Sequence, residues 1–149
     1  MSYNPNNPNG QATAANSAPV VLALDVIPSI SIAEATTGGA TTYRLATAAG
    51  QNINQVKSGA GKITGWYIYN SNGSSRKVNL YNVLSAPTVG TTTLLLSIII
   101  PALSAANCSF PAGITFSSGL YISTTTGLAD NDASTNVAAN DLIINIFYK

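Results

Sequence analysis

The chain predicts an all-β fold, a jelly-roll-like β-sandwich led by an extended N-terminal arm. Three observations carry that prediction. Short runs of β-branched and aromatic residues alternate with polar ones at period 2, clusters of Gly, Pro, Asn, Asp and Ser separate them, and no long stretch has the 3.6-residue repeat of an amphipathic helix. Residues 1–25 read as the arm and residues 26–149 as the sandwich.

The leading Met1-Ser2-Tyr3-Asn4-Pro5 and the Asn/Pro-rich residues after it favour turns and extended backbone. Pro19 disfavours helix, and Val20, Val21, Leu22 and Leu24 follow it as an apolar run suited to an edge strand or to a strand added to a partner. These five residues, Pro19, Val20, Val21, Leu22 and Leu24, are the candidate arm contacts. A first strand paired within its own subunit is the competing reading. Ile30 and Ile32 alternate with Ser29 and Ser31 as in a half-buried strand, Thr36 to Gly39 reads as a turn, and Tyr43 and Leu45 mark another short strand.

Residues 46–55 carry no clear pattern. From Lys62 to Asn70 the residues Ile63, Trp66, Tyr67, Ile68 and Tyr69 form a strong strand, and Asn70-Ser71-Asn72-Gly73 predicts a hairpin turn to a return strand from Lys77 to Leu84. In that strand Val78 and Leu80 share one face and Tyr81 and Val83 the other. Thr91 to Ile100 predicts an apolar strand buried on both sides and ended by Pro101. Strands are then expected at Asn107 to Phe110, Gly119 to Thr125 and Asp141 to Tyr148, with turns at Pro111-Ala112-Gly113 and from Gly127 to Asn140.

Composition narrows the function. The 149 residues include no histidine, one cysteine and five carboxylates, so the chain has few groups from which to assemble acid-base, nucleophilic or metal chemistry. The expectation is a non-enzyme without cofactor or metal. Charged residues are 7% of the chain against about 25% in an ordinary soluble domain, and the formal net charge is +1, so little repulsion keeps copies apart. The six basic residues are scattered apart from Arg76-Lys77, which argues against nucleic acid as a partner. The longest apolar run, Leu94 to Ile100, is too short to span a bilayer, and the start lacks the pattern of a signal peptide, so no membrane partner and assembly in the cytoplasm are expected.

Several motifs dissolve on inspection. Gly59-Ala60-Gly61-Lys62 lacks the first glycine and the final Ser or Thr of a phosphate-binding loop, having Val56 and Ile63 there. Asp130, Asn131 and Asp132, with Asp141 further on, supply oxygen ligands but not the glycine and terminal glutamate of a calcium loop, so an Asx-rich turn is the simpler reading. Trp66, Tyr67, Tyr69, Tyr81 and Tyr121 suggest an aromatic platform for a sugar, but no carboxylate is near them in sequence and cross-strand packing explains them as well. Cys108, in the alternating stretch from Ala106 to Phe110, reads as a small buried hydrophobe.

Two stretches carry a resemblance. The segment from Asn9 to Ala23 is similar to one that recurs in structural proteins of tailed bacteriophages, departing only at Ala14, where methionine is usual. The stretch from Gly61-Lys62-Ile63-Thr64-Gly65-Trp66-Tyr67 through Phe110-Pro111-Ala112-Gly113-Ile114 to Asn145-Ile146-Phe147-Tyr148-Lys149 resembles a small β-domain of phage virion proteins. The resemblance implies a capsid decoration, or cement, protein on the virion surface. Its partners would be the major capsid protein and itself, as a homotrimer, with the arm pairing to a neighbour or to the shell. A tail, baseplate or head-fibre component is the alternative, disfavoured by the lack of repeats or a long stalk. A glycan depolymerase is disfavoured by the missing paired carboxylates.

Overall fold

A computed structural model of the chain describes residues 39–149. The arm, its candidate contacts Pro19, Val20, Val21, Leu22 and Leu24, the strand at Ile30 and Ile32 and most of the turn at Thr36 to Gly39 lie outside the described residues.

Eight strands follow one another: β1 Thr41–Ala46, β2 Asn54–Ser58, β3 Gly61–Asn70, β4 Arg76–Asn82, β5 Leu96–Ile100, β6 Ala105–Phe116, β7 Gly119–Thr125 and β8 Leu142–Tyr148. They form two four-stranded sheets, ordered β1-β8-β3-β6 and β2-β7-β4-β5. β1 pairs with β8, β2 with β7, β3 with β6 and β4 with β5, all antiparallel. This is one long antiparallel ribbon rolled up so that successive pairs alternate between sheets, and contacts of β3 with β8 and of β4 with β7 close each sheet. The result is a jelly roll, as the sequence predicts.

The inward positions of both sheets meet in one core. Ile63, Trp66 and Ile68 of β3 and Ile144 and Ile146 of β8 face Val78 and Leu80 of β4, Ile98 and Ile100 of β5, and Leu120 and Ile122 of β7. Each of these sits two residues from the next on its strand, save where a bulge shifts β3, which is the period of side chains sharing one sheet face, and β4 and β7 are largely buried on their outer faces as well. Burying each such side chain contributes roughly 1.5–3 kcal/mol.

The structure departs from five expectations. Asn70-Ser71-Asn72-Gly73 is not a hairpin turn, because β3 and β4 belong to different sheets. Primed hairpin turns need positive φ at central residues, and none of Ser71, Asn72 and Gly73 has it. Instead the buried Asn70 amide donates to the carbonyls of Ser74, Ile100 and Pro101, holding a corner that carries the chain across the sandwich. The strand expected at Thr91 to Ile100 begins only at Leu96. Thr91 and Thr92 donate their N–H groups to the Thr88 carbonyl while the Thr92 hydroxyl accepts from Thr88 N–H, so a local threonine turn competes with the ladder. That strand is not buried on both sides either: Ile98 and Ile100 face the core, whereas Ile99 is 49% exposed.

Pro111-Ala112-Gly113 does not end β6. The register moves from Gly65↔Ser109 to Ile63↔Ile114, so Phe110 to Gly113 bulge opposite Thr64, with Gly113 in the left-handed region at φ 74°. Cys108 is exposed rather than buried. It pairs with Trp66 on the inward parity, but β6 is the outermost described strand of its sheet and no described strand lies over it at that position.

Candidate functional site

The three described carboxylates are each committed to internal donors. Asp141, at the foot of β8, accepts from Arg76 Nε of β4 at 2.9 Å, from the Ala138 N–H at 3.0 Å and from Asn72 Nδ2 at 3.0 Å. Burial pushes its carboxyl up, yet the backbone, amide and guanidinium donors outweigh that and hold it below the usual carboxylate range. The pair joins the two sheets, since β4 and β8 lie on opposite sides of the core.

Asp132 accepts from the Ser134 hydroxyl, the Ser134 N–H and the Gly127 N–H, which hold its carboxyl low against a small desolvation cost. It is the organiser of an Asx-type turn. Asp130 is exposed and accepts from Lys77 Nζ at 2.9 Å. Lys77 is fully buried on the outward side of β4, and the carbonyls of Leu128 and Ala129 complete its coordination. Among the described residues no three His, Cys, Asp or Glu side chains converge as a metal site would require. The sequence gives no sign of the Lys77 burial, because only the fold brings the loop after β7 over it.

The aromatic residues separate. Trp66 and Tyr81 are buried, Trp66 against Phe110 with ring centroids 5.1 Å apart. Tyr81 shares a hydrogen bond of 3.0 Å with Ser123, and burial raises its phenol above the ordinary value. Tyr121 is half-buried in the second sheet. Tyr67 and Tyr69 alone keep the character of a platform, at 45% and 39% exposure on the outward face of β3.

That outward face is an ordered grid. Across β8, β3 and β6 one row reads Phe147, Gly65, Ser109, the next Asn145, Tyr67, Asn107, and the third Ile143, Tyr69, Ala105. Beyond β8 the β1 column adds Thr42, Arg44 and Ala46. Arg44 is the one charged residue of these rows, and the exposed, backbone-paired Lys62 and Lys149 stand in the next row, beyond Gly65 and Phe147. Gly65, in the centre of the first row, is buried, and beside it lies a shallow depression of about 430 Å³, lined by Trp66, Tyr67, Asn107, Cys108, Ser109 and Phe147. Glycine is required at that point because a Cβ would stand 2.6 Å from the Cys108 carbonyl oxygen.

A second exposed feature lies on the other sheet. On β5, the outermost described strand there, Ile99 pairs with Lys77, whose ammonium binds the Leu128 carbonyl, so Ile99 and Leu128 flank one buried lysine. They are 49% and 44% exposed. The strand Leu96-Ser97-Ile98-Ile99-Ile100 carries no charge. Leu84 and Leu103, in the loops after β4 and β5, are 77% and 66% exposed.

Comparison with known proteins supplies no family. No family model and no curated protein matches the chain. One solved structure, described as "Crystal structure of PirA", overlaps 79% of this chain and 100% of its own at 10% identity and a TM-score of 0.37. A likeness that distant carries no argument about function.

Proposed function

We propose that the chain is a structural component of a tailed-bacteriophage particle, a decoration or cement protein that binds the outer shell and holds neighbouring major capsid protein subunits together. The carrying observation is the apolar corner at β5, where Ile99 and Leu128 stand exposed beside the outermost described strand of the sheet, with Asp130 as the neighbouring charge. Edge strands are usually guarded by lysine, proline or a bulge, and this one has none of these. Such a corner suits a partner's strand or apolar patch. The sequence resemblance to phage virion proteins supports the choice of partner.

The mechanism is passive. A shell under pressure fails where subunits separate, and a protein bridging that seam adds about 25 cal/mol for each Å² of apolar surface it buries. Repetition over many equivalent seams strengthens weak individual contacts. Residues 1–25, with Pro19, Val20, Val21, Leu22 and Leu24 as contacts, form the arm in this reading, and the jelly roll, as a homotrimer, is the body that the arm tethers.

The test is binding of the full chain, of a variant lacking residues 1–25 and of Ile99→Asp to empty shells of the phage that encodes it. Strong loss in both variants is expected. Retention by the arm deletion removes the arm from the reading, and a copy number of a few per particle replaces the shell with the tail or baseplate.

A further inference from the structure

We infer that the outward face of the β1-β8-β3-β6 sheet carries a binding site for a neutral carbohydrate, centred on the depression among Tyr67, Asn107, Ser109 and Phe147. Sugar rings present an apolar C–H face and a rim of hydroxyls, so a site for them needs an exposed aromatic surface beside amide and hydroxyl groups. The depression supplies both. Tyr67 and Phe147 stand at its walls, and Asn107 and Ser109 stand on its β6 side.

Two details favour a ligand over a bare surface. Of the asparagines on strands, Asn54, Asn70, Asn79, Asn82 and Asn145 all donate side-chain hydrogen bonds within the chain. Asn107 has no such bond among the described residues, and neither has Ser109, so their polar groups remain available at the depression. Tyr67 keeps its ring outward at 45% exposure while the neighbouring Trp66 turns into the core. An amphipathic ring of that kind presents an apolar face and a hydroxyl at little entropic cost.

Charge selects the class of sugar. The described carboxylates lie elsewhere, paired with Arg76, Lys77 and Ser134. Arg44 on β1, and the exposed, backbone-paired Lys62 and Lys149 of the neighbouring row, do not line the depression. A lining with neither sign of charge suits an uncharged oligosaccharide. The inference stands apart from the virion reading, which uses the opposite sheet.

The experiment is titration of the full chain, followed by calorimetry and by NMR, with uncharged oligosaccharides (glucose, N-acetylglucosamine and galactose oligomers) and with heparin and hyaluronan fragments as charged comparisons. At least one uncharged oligomer binds, and Tyr67→Ala weakens it by about tenfold or more, the loss typical of a central aromatic contact. Tyr67→Phe, which keeps the ring, holds affinity within about threefold. Ser109→Trp, which fills the depression while leaving Tyr67 in place, also abolishes binding, and thermal melts verify that each variant folds. No binding at millimolar oligosaccharide overturns the inference, as does binding indifferent to both Tyr67→Ala and Ser109→Trp. Preference for the charged fragments that is lost in Arg44→Ala, or in Lys62→Ala with Lys149→Ala, also overturns it. So does light scattering in which Tyr67→Ala converts an oligomer to a monomer, because the face is then an interface between copies.

Discussion

Replacing Asp141 by alanine is expected to be among the most damaging single changes in the described body. At 2.9 Å from Arg76, and with side chains 7% and 9% exposed, the pair has a gross attraction of about 6 kcal/mol at an effective dielectric of 20. The net loss is smaller, since the freed guanidinium is close enough to the surface to regain some water. Removing one partner of a buried pair costs about 3–5 kcal/mol. The shallow position places Asp141→Ala near the lower end, about 3 kcal/mol, or on the order of a 10 °C fall in Tm. Loss of the acceptor for the Ala138 N–H and the Asn72 amide belongs to the same sum.

Denaturant unfolding of the wild type, Asp141→Ala, Arg76→Met and the double variant Arg76→Met/Asp141→Leu measures this. The double variant should recover most of the loss, because neither charge is left buried alone. The pair also predicts a pH dependence. The folded carboxyl titrates below its unfolded value of about 3.9, so its contribution is complete above that pH and disappears as pH falls through the folded value. The stability gap between wild type and Asp141→Asn therefore narrows in acid. A loss under about 1 kcal/mol for Asp141→Ala at neutral pH refutes the reasoning, since that is the value of an exposed pair.

Lys77→Ala should cost about 2–4 kcal/mol by denaturant unfolding, because it leaves the Leu128 and Ala129 carbonyls without their donor, whereas Asp130→Ala should cost under about 1 kcal/mol, its side chain being 79% exposed. Gly65→Ala forces β3 and β6 apart at the Cys108 carbonyl and should lower stability by about 1–3 kcal/mol in the same assay. Cys108 should react with a thiol reagent in the folded protein without denaturant, and protection until unfolding would contradict its exposed position on β6.

The strands were legible where apolar residues recur at every second position. Alternation at Ile63 to Asn70, Val78 to Tyr81 and Leu142 to Tyr148 identifies both the elements and their inward residues, because period 2 reports which side chains leave water. Pairing was not legible. In a jelly roll, neighbours in sequence usually lie in opposite sheets, so a turn-rich tetrad such as Asn70 to Gly73 looks like a hairpin while Asn70 is in fact buried at an inter-sheet corner. Alternation also gives parity without cover: Cys108 and Ile98 both occupy inward positions, yet only Ile98 has the opposite sheet over it.

The candidate carbohydrate site was half legible for the same reason. Trp66, Tyr67 and Tyr69 are adjacent in sequence and suggest a platform, but period 2 sends Trp66 inward and leaves the two tyrosines outside. The depression beside them depends on three strands meeting at Gly65, with Phe147 brought by β8 and Ser109 by β6. Those residues are more than 40 positions away, and their convergence follows from the ribbon rolling, a property of pairing that local pattern does not contain. Gly65 itself carried no sequence signal beyond being a glycine in a strand, which marks a bulge or a close backbone approach. It proves to be both: the register shifts beside it, and the Cys108 carbonyl occupies the space a side chain would need. The missing side chain therefore lets β6 approach, and that approach is what sets Asn107 and Ser109 beside Tyr67.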